Sequence, residues 1–147
     1  MQILRGLHSP DAQSVALTIG NFDGMHLGHQ TLLKTLSVVA REQGMLSAVL
    51  TFDPHPREFF APQQAPTRLT SLREKLELFR EMGLDRVYVC RFDASFAQMS
   101  AVDFIDALHE KLQMKFALIG DDFRFGSRRV GDFSLMQKLG KQHGFKV

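Results

Sequence analysis

Apolar positions along this chain come as short unbroken runs that alternate with longer stretches in which they recur every three or four residues. The first pattern predicts strands buried on both faces, and the second predicts helices with one buried stripe. Val15 to Ile19 is a strand-like run stopped by Gly20. Gln30 to Glu42 predicts a helix with Leu33, Leu36 and Ala40 on one stripe, and Gly44 is its C-terminal stop. Leu46 to Phe52 is a second strand, halted by Pro54, and the Pro-rich stretch from Pro54 to Pro66 reads as a loop. Ser71 and Glu74 have the spacing of a capping box. They open a helix with Leu72, Leu76 and Phe79 on its buried face, ended by Gly83.

Arg86 to Phe92 predicts a third strand, and Ser100 with Asp103 starts a helix running to about Leu112. Phe116 to Ile119 predicts a fourth strand, and Asp132 to His143 a last helix followed by Gly144. Phe145, Lys146 and Val147 read as the opening of a fifth strand. Strand–helix alternation of this kind implies an α/β fold, a parallel sheet with right-handed crossovers and helices on both faces. Ligands of such sheets bind at the carboxyl ends of the strands. Three unusual peptides fall there: Gly20 to His29, Asp53 to Arg57, and Gly120 to Gly126.

Composition narrows the picture. At 147 residues, 44% apolar and 23% charged, the chain suits one domain with one core. Its 18 basic and 16 acidic residues give a net charge of +2, which exerts little general pull on nucleic acid or membranes. The single cysteine, Cys90, excludes an internal disulfide. No apolar stretch is long enough for a signal peptide or a membrane span, so a cytoplasmic location is expected.

The Gly20-Asn21-Phe22-Asp23-Gly24-Met25-His26-Leu27-Gly28-His29 peptide carries the most chemistry. It leads from a strand into a helix, whose N-terminus offers free N–H groups and partial positive charge to a phosphate. Gly20, Gly24 and Gly28 allow tight turns and close backbone approach. His26 and His29 are three apart, so one helical turn can aim both at one point, where imidazole N–H groups donate to phosphate oxygens. Taken alone, a histidine at a helix start is more often an ordinary polar residue. A zinc site is disfavoured because no Cys, His or carboxylate nearby has ligand spacing. The peptide is neither a P-loop nor a Gly-x-Gly-x-x-Gly fingerprint.

These ten residues resemble the signature of the nucleotidylyltransferase superfamily. That resemblance implies a Rossmann-like nucleotidylyltransferase fold and in-line attack of an acceptor phosphate on the α-phosphorus of ATP, without a covalent enzyme intermediate. His26 and His29 would then be the catalytic pair, stabilising charge on the phosphoryl oxygens. Two further peptides, Thr51-Phe52-Asp53-Pro54-His55-Pro56 and Gly120-Asp121-Asp122-Phe123-Arg124-Phe125-Gly126, are similar to the adenylyltransferase module of the bacterial bifunctional riboflavin kinase/FMN adenylyltransferases, the FAD synthetases. The similarity runs over essentially the whole chain, including Gly131-Asp132 and the stretch from Thr70 to Lys75.

The resemblance implies FMN as acceptor and FAD with pyrophosphate as products. It places Gly20, Asn21, Phe22, Asp23 and Gly28 on ATP. Pro54, His55, Pro56, Asp122, Phe123 and Phe125 fall on the flavin side, with Asp122 standing where many relatives carry Asn. The prolines fix backbone angles along a wall, Phe123 and Phe125 can stack on or shield a flat ring, and Arg124, Arg128 and Arg129 can reach phosphates. Mg²⁺ is expected with ATP, held mostly by phosphates and water, and no dedicated protein ligand for a metal is identified. Two family features have no counterpart here: a Ser-Ser-Thr-x-x-Arg-like motif and a riboflavin kinase barrel. Weak or no turnover is therefore expected of these 147 residues alone. Two other functions stay open at this stage. One is a related nucleotidylyltransferase with another phosphorylated acceptor; the other is a nucleotide-binding module without catalysis. Oligomeric state is not legible.

Overall fold

A computed structural model describes residues 1–24, 26–53, 71–120 and 123–147. Its frame is a five-stranded, all-parallel sheet in the order β1-β4-β3-β2-β5. The strands are β1 (Gln2–Arg5), β2 (Val15–Ile19), β3 (Leu46–Phe52), β4 (Arg86–Cys90) and β5 (Met114–Leu118). Between them run α1 (Leu27–Gln43), α2 (Leu72–Glu81), the single turn α3 (Ala94–Ala97) and α4 (Ala101–Glu110), and after β5 come a 3₁₀ turn at Ser127–Arg129 and α5 (Phe133–His143).

Period-2 alternation divides the core cleanly. Val15, Leu17, Ile19, Ala48, Leu50, Phe52 and Tyr88 face one way, against Phe104, Ile105 and Leu108 of α4 and Met136 and Leu139 of α5. Ala16, Val49, Val87 and Val89 face the other way, against Leu33, Leu36 and Ala40 of α1 and Phe79 of α2. Both sheet faces are thus covered by helices, as the unbroken apolar runs require.

Several boundaries move from their predicted places, each for a local reason. Helix α1 begins at Leu27, not Gln30, because the His26 side chain caps it. Strand β4 ends at Cys90, since Asp93 accepts a bond from the Phe96 N–H and starts α3. The peptide at 145–147 contributes one parallel bridge, Phe116 to Lys146, beside β5. Strand β1 was not predicted. It is short and largely exposed, with no apolar run, and it is held at the sheet edge by pairing with β4 and by a polar network. In that network the buried Arg86 guanidinium donates to Gln2 (2.8 Å), to the Tyr88 hydroxyl (3.3 Å) and to Asp11 (2.5 Å). Tyr88 and Ser9 share a further bond of 2.7 Å. Arg86 holds the Asp11 carboxyl below its ordinary range, together with the Gln13 backbone N–H, which is the larger influence.

The strand order sets the position of the site. From β2 the chain crosses to β3 on one side, while β5 lies on the other side of β2. The carboxyl ends of β2 and β5 therefore flank a topological switch point, where the two crossovers diverge and leave a crevice. The chain leaves β3, β2 and β5 at one end of three adjacent parallel strands, so the three predicted peptides start from the same end of the sheet.

Candidate functional site

The loop after β2 is anchored before it turns. The Gly20 N–H donates to the Leu50 carbonyl at 3.0 Å, which extends the β2–β3 pairing by one residue. Beyond it the Asn21 carbonyl accepts from the Thr51 hydroxyl at 3.5 Å and from the Lys75 ammonium at 2.9 Å. Phe22 then adopts φ 54°, the left-handed region that an L-residue enters only under constraint. Its ring is buried, edge-on to Phe79 of α2 (centroids 5.6 Å apart) and to His29 (5.1 Å). A methyl at Gly20 would lie 3.1 Å from that ring, so a glycine precedes the turn for want of room.

At the start of α1 the two histidines meet. His26 is the N-cap residue in extended conformation, and its Nδ1 accepts from the His29 backbone N–H at 3.3 Å. The rings stack, with centroids 3.6 Å apart and planes inclined by 21°. The prediction that one turn would bring both imidazoles together holds, but in a particular form: one is the cap and the other sits in the first turn. The geometry also fixes a tautomer. A cap acceptor needs a lone pair on Nδ1, so neutral His26 carries its proton on Nε2, on an exposed ring. Burial, and secondarily the His26 charge, push the His29 imidazole below its ordinary value, which favours the neutral form. His29 Nδ1 and Asn21 Oδ1 are buried with no hydrogen-bond partner among the described residues. Buried polar atoms of this kind are rare in a closed core and suit a site that receives a ligand.

Gly28 allows the pair to pack, since a methyl there would lie 3.0 Å from His26 Cε1. Gly20, Phe22, His26, Gly28 and His29 are therefore linked by contacts at the head of α1, with Asn21 and Asp23 beside them in the same loop. Phe22 contributes a buried supporting ring beside His29.

On the other side of the crevice, Phe123 and Phe125 stack at 5.6 Å with an interplanar angle of 19°. Phe125 is buried against Phe104, and Phe123 is the more open of the two. Phe125 also exchanges two backbone bonds with Gly131 (3.1 and 2.9 Å), closing the segment that displays Arg128 and Arg129. A further aromatic group was not anticipated. Phe52 at the end of β3 meets Phe92 (6.0 Å) and Phe96 (5.4 Å), and Phe96 meets Phe104 (5.7 Å). The sequence assigns Arg91 and Phe92 to the end of a strand, and nothing in it joins Phe92 to Phe96. Pro54, His55, Pro56 and Asp122 lie outside the described residues.

Cys90 is buried in the same core cluster as Phe52. Desolvation, with a smaller influence from Asp93, pushes its thiol up to about 11. Among the described residues no group of three His, Cys, Asp or Glu side chains can hold a metal ion. No helix among them is long and apolar enough to cross a membrane.

The chain has curated relatives along its whole length. The chain is 46% identical to the bifunctional riboflavin kinase/FMN adenylyltransferase of Escherichia coli K12, over all of this chain and 48% of the relative. It is 47% identical to the protein of the same name from Haemophilus influenzae, over all of this chain and 49% of the relative. The chain thus spans about half the length of these curated relatives. A solved structure titled a macrolide-efflux protein from Streptococcus pneumoniae superposes with a TM-score of 0.79 over 99% of this chain and 49% of that one. At 21% identity, that match speaks for the fold alone. The sequence model of the FAD synthetase family matches residues 8–147, and the chain belongs to that family.

Proposed function

We propose that this chain carries an FMN adenylyltransferase site, joining AMP from ATP to FMN with release of pyrophosphate. The observation that carries the reading is the stacked pair His26 and His29 at the head of α1, beside the switch point of the sheet. An oxygen of the FMN phosphate attacks the α-phosphorus, the bond to the β-phosphate bridge breaks, and pyrophosphate departs with the electron pair. Negative charge grows on the phosphoryl oxygens and the leaving group. The His26 Nε2–H, the His29 ring and the free N–H groups of the first helical turn are donors fixed before the reaction begins. Such donors favour the transition state over bound ATP and need not form a covalent bond. The open Phe123 ring, backed by Phe125, offers a face for a flat flavin, and Pro54, His55, Pro56 and Asp122 are assigned to the same side by family resemblance.

Mg²⁺ fits this donor set as a companion of the triphosphate. Mg²⁺ keeps several waters and is commonly held by substrate phosphates with one or two carboxylates, so no protein cage is required. The ATP requirement makes the cytoplasm the compartment for this reaction.

The test is His29→Ala in the full-length protein, given ATP and FMN, with FAD measured by chromatography. Loss of one preformed donor predicts a fall in turnover of roughly 10²- to 10³-fold. A parent protein that forms no FAD, or joins AMP to another phosphorylated acceptor, sinks the choice of FMN. Undiminished turnover in the variant sinks the role of the histidines. ATP binding without any product would favour a nucleotide-binding module.

A further inference from the structure

We infer that Lys75 is a positioning residue for the triphosphate loop, and that α2 sets the ring of His29 through Lys75 and Phe79 together. This rests on the reading of His26 and His29 as the phosphate-binding pair. Lys75 is only 4% exposed, on the second turn of α2, and Phe79 follows four residues later on the same face. An ammonium at that depth has lost its hydration and needs acceptors. One of them is the Asn21 carbonyl, 2.9 Å away.

The peptide so held is the one that leads into the strained turn at Phe22, φ 54°. Lys75 grips that turn by its backbone, and Phe79 meets its ring edge-on at 5.6 Å. The same Phe22 ring supports His29 at 5.1 Å. Two side chains from one helix thus restrain both ends of a left-handed residue, and a catalytic imidazole rests on it. Packing does not call for a charge here. Leu72 and Leu76 pack with Phe79 against this core, and an unbranched apolar side chain of similar length at position 75 would be buried there without desolvating an ion. A residue that breaks the local pattern in this way is one retained for the site.

The experiment is Lys75→Met in the full chain, with histidine rings followed by NMR and binding of a non-hydrolysable ATP analogue followed by calorimetry. The expected result keeps the methyl spectrum of the core while the ring signals of His26 and His29 move toward random-coil positions. Analogue affinity falls roughly tenfold to a hundredfold, the usual effect of losing a charge-assisted bond to a buried acceptor. A folded variant with parental ring signals and parental affinity overturns the inference. If Lys75→Met does not fold, Phe79→Leu is read by the same two measurements, and unchanged ring signals there also overturn it. A parent that binds no analogue would sink the phosphate reading alone, since the ring signals still report whether α2 sets the stack.

Discussion

Replacing Gly28 by alanine separates the stability of α1 from the function of its first turn. Gly28 is the second residue of the helix, exposed, and not among the residues with positive φ. Its backbone therefore accepts alanine without strain, and the propensity gain is up to about 1 kcal/mol. The added methyl would lie 3.0 Å from His26 Cε1 and 3.1 Å from Nδ1. Ordinary carbon contacts are about 3.5–4.0 Å, so the exposed His26 ring must retreat by roughly 0.5–1 Å. The cap bond, already 3.3 Å, and the 3.6 Å stack are both lost in that movement. Losing a cap costs about 1 kcal/mol, which cancels the propensity gain. Displacing a catalytic group by about 1 Å costs on the order of a hundredfold in rate. The variant should melt close to the parent while FAD formation, followed by chromatography in the full-length protein, falls by ten- to a hundredfold. Parental turnover in Gly28→Ala would show that the stacked geometry has no role in the reaction.

Three further outcomes follow from named contacts. Gly131→Ala would drive a methyl into the buried Phe125 ring, and overpacking of this kind should lower stability by about 1–3 kcal/mol in urea denaturation. Ser71→Ala removes the hydroxyl that accepts from the Glu74 N–H while the backbone half of the α2 capping box stays, with an expected loss of about 1 kcal/mol by the same measurement; a gain would contradict the assigned cap. The depressed His29 imidazole means that the unfolded chain binds its proton first as pH falls below the ordinary histidine value of about 6.5. Stability should therefore decline from pH 7 toward pH 5, and His29→Gln should decline less steeply; equal slopes would remove the assignment.

Much of this architecture was legible because burial and periodicity agree. Val15 to Ile19 and Leu46 to Phe52 are buried on both faces and read as continuous apolar runs. Leu33, Leu36 and Ala40 mark the stripe of α1, and Gly44 ends that helix with φ 68°. What escaped notice depends on tertiary contacts. Gln2–Arg5 becomes a strand through its pairing with β4, with no apolar run to announce it. His26 as an N-cap lies outside the usual Ser, Thr, Asp and Asn signals, so α1 was expected to start three residues late. The histidine pair was legible from its spacing, whereas Lys75 was not: a lysine on a helix normally faces solvent, and the carbonyl that draws it inward is 54 residues away.

One imidazole starts a helix with one nitrogen and presents its other nitrogen outward. A thermostabilisation screen scored on folding alone would favour serine or aspartate at position 26, since either is a stronger helix initiator. Both would delete the outward N–H. Neither offers an imidazole N–H on the far side of the cap, so under the proposed function optimisation of this chain for robustness should leave residue 26 untouched.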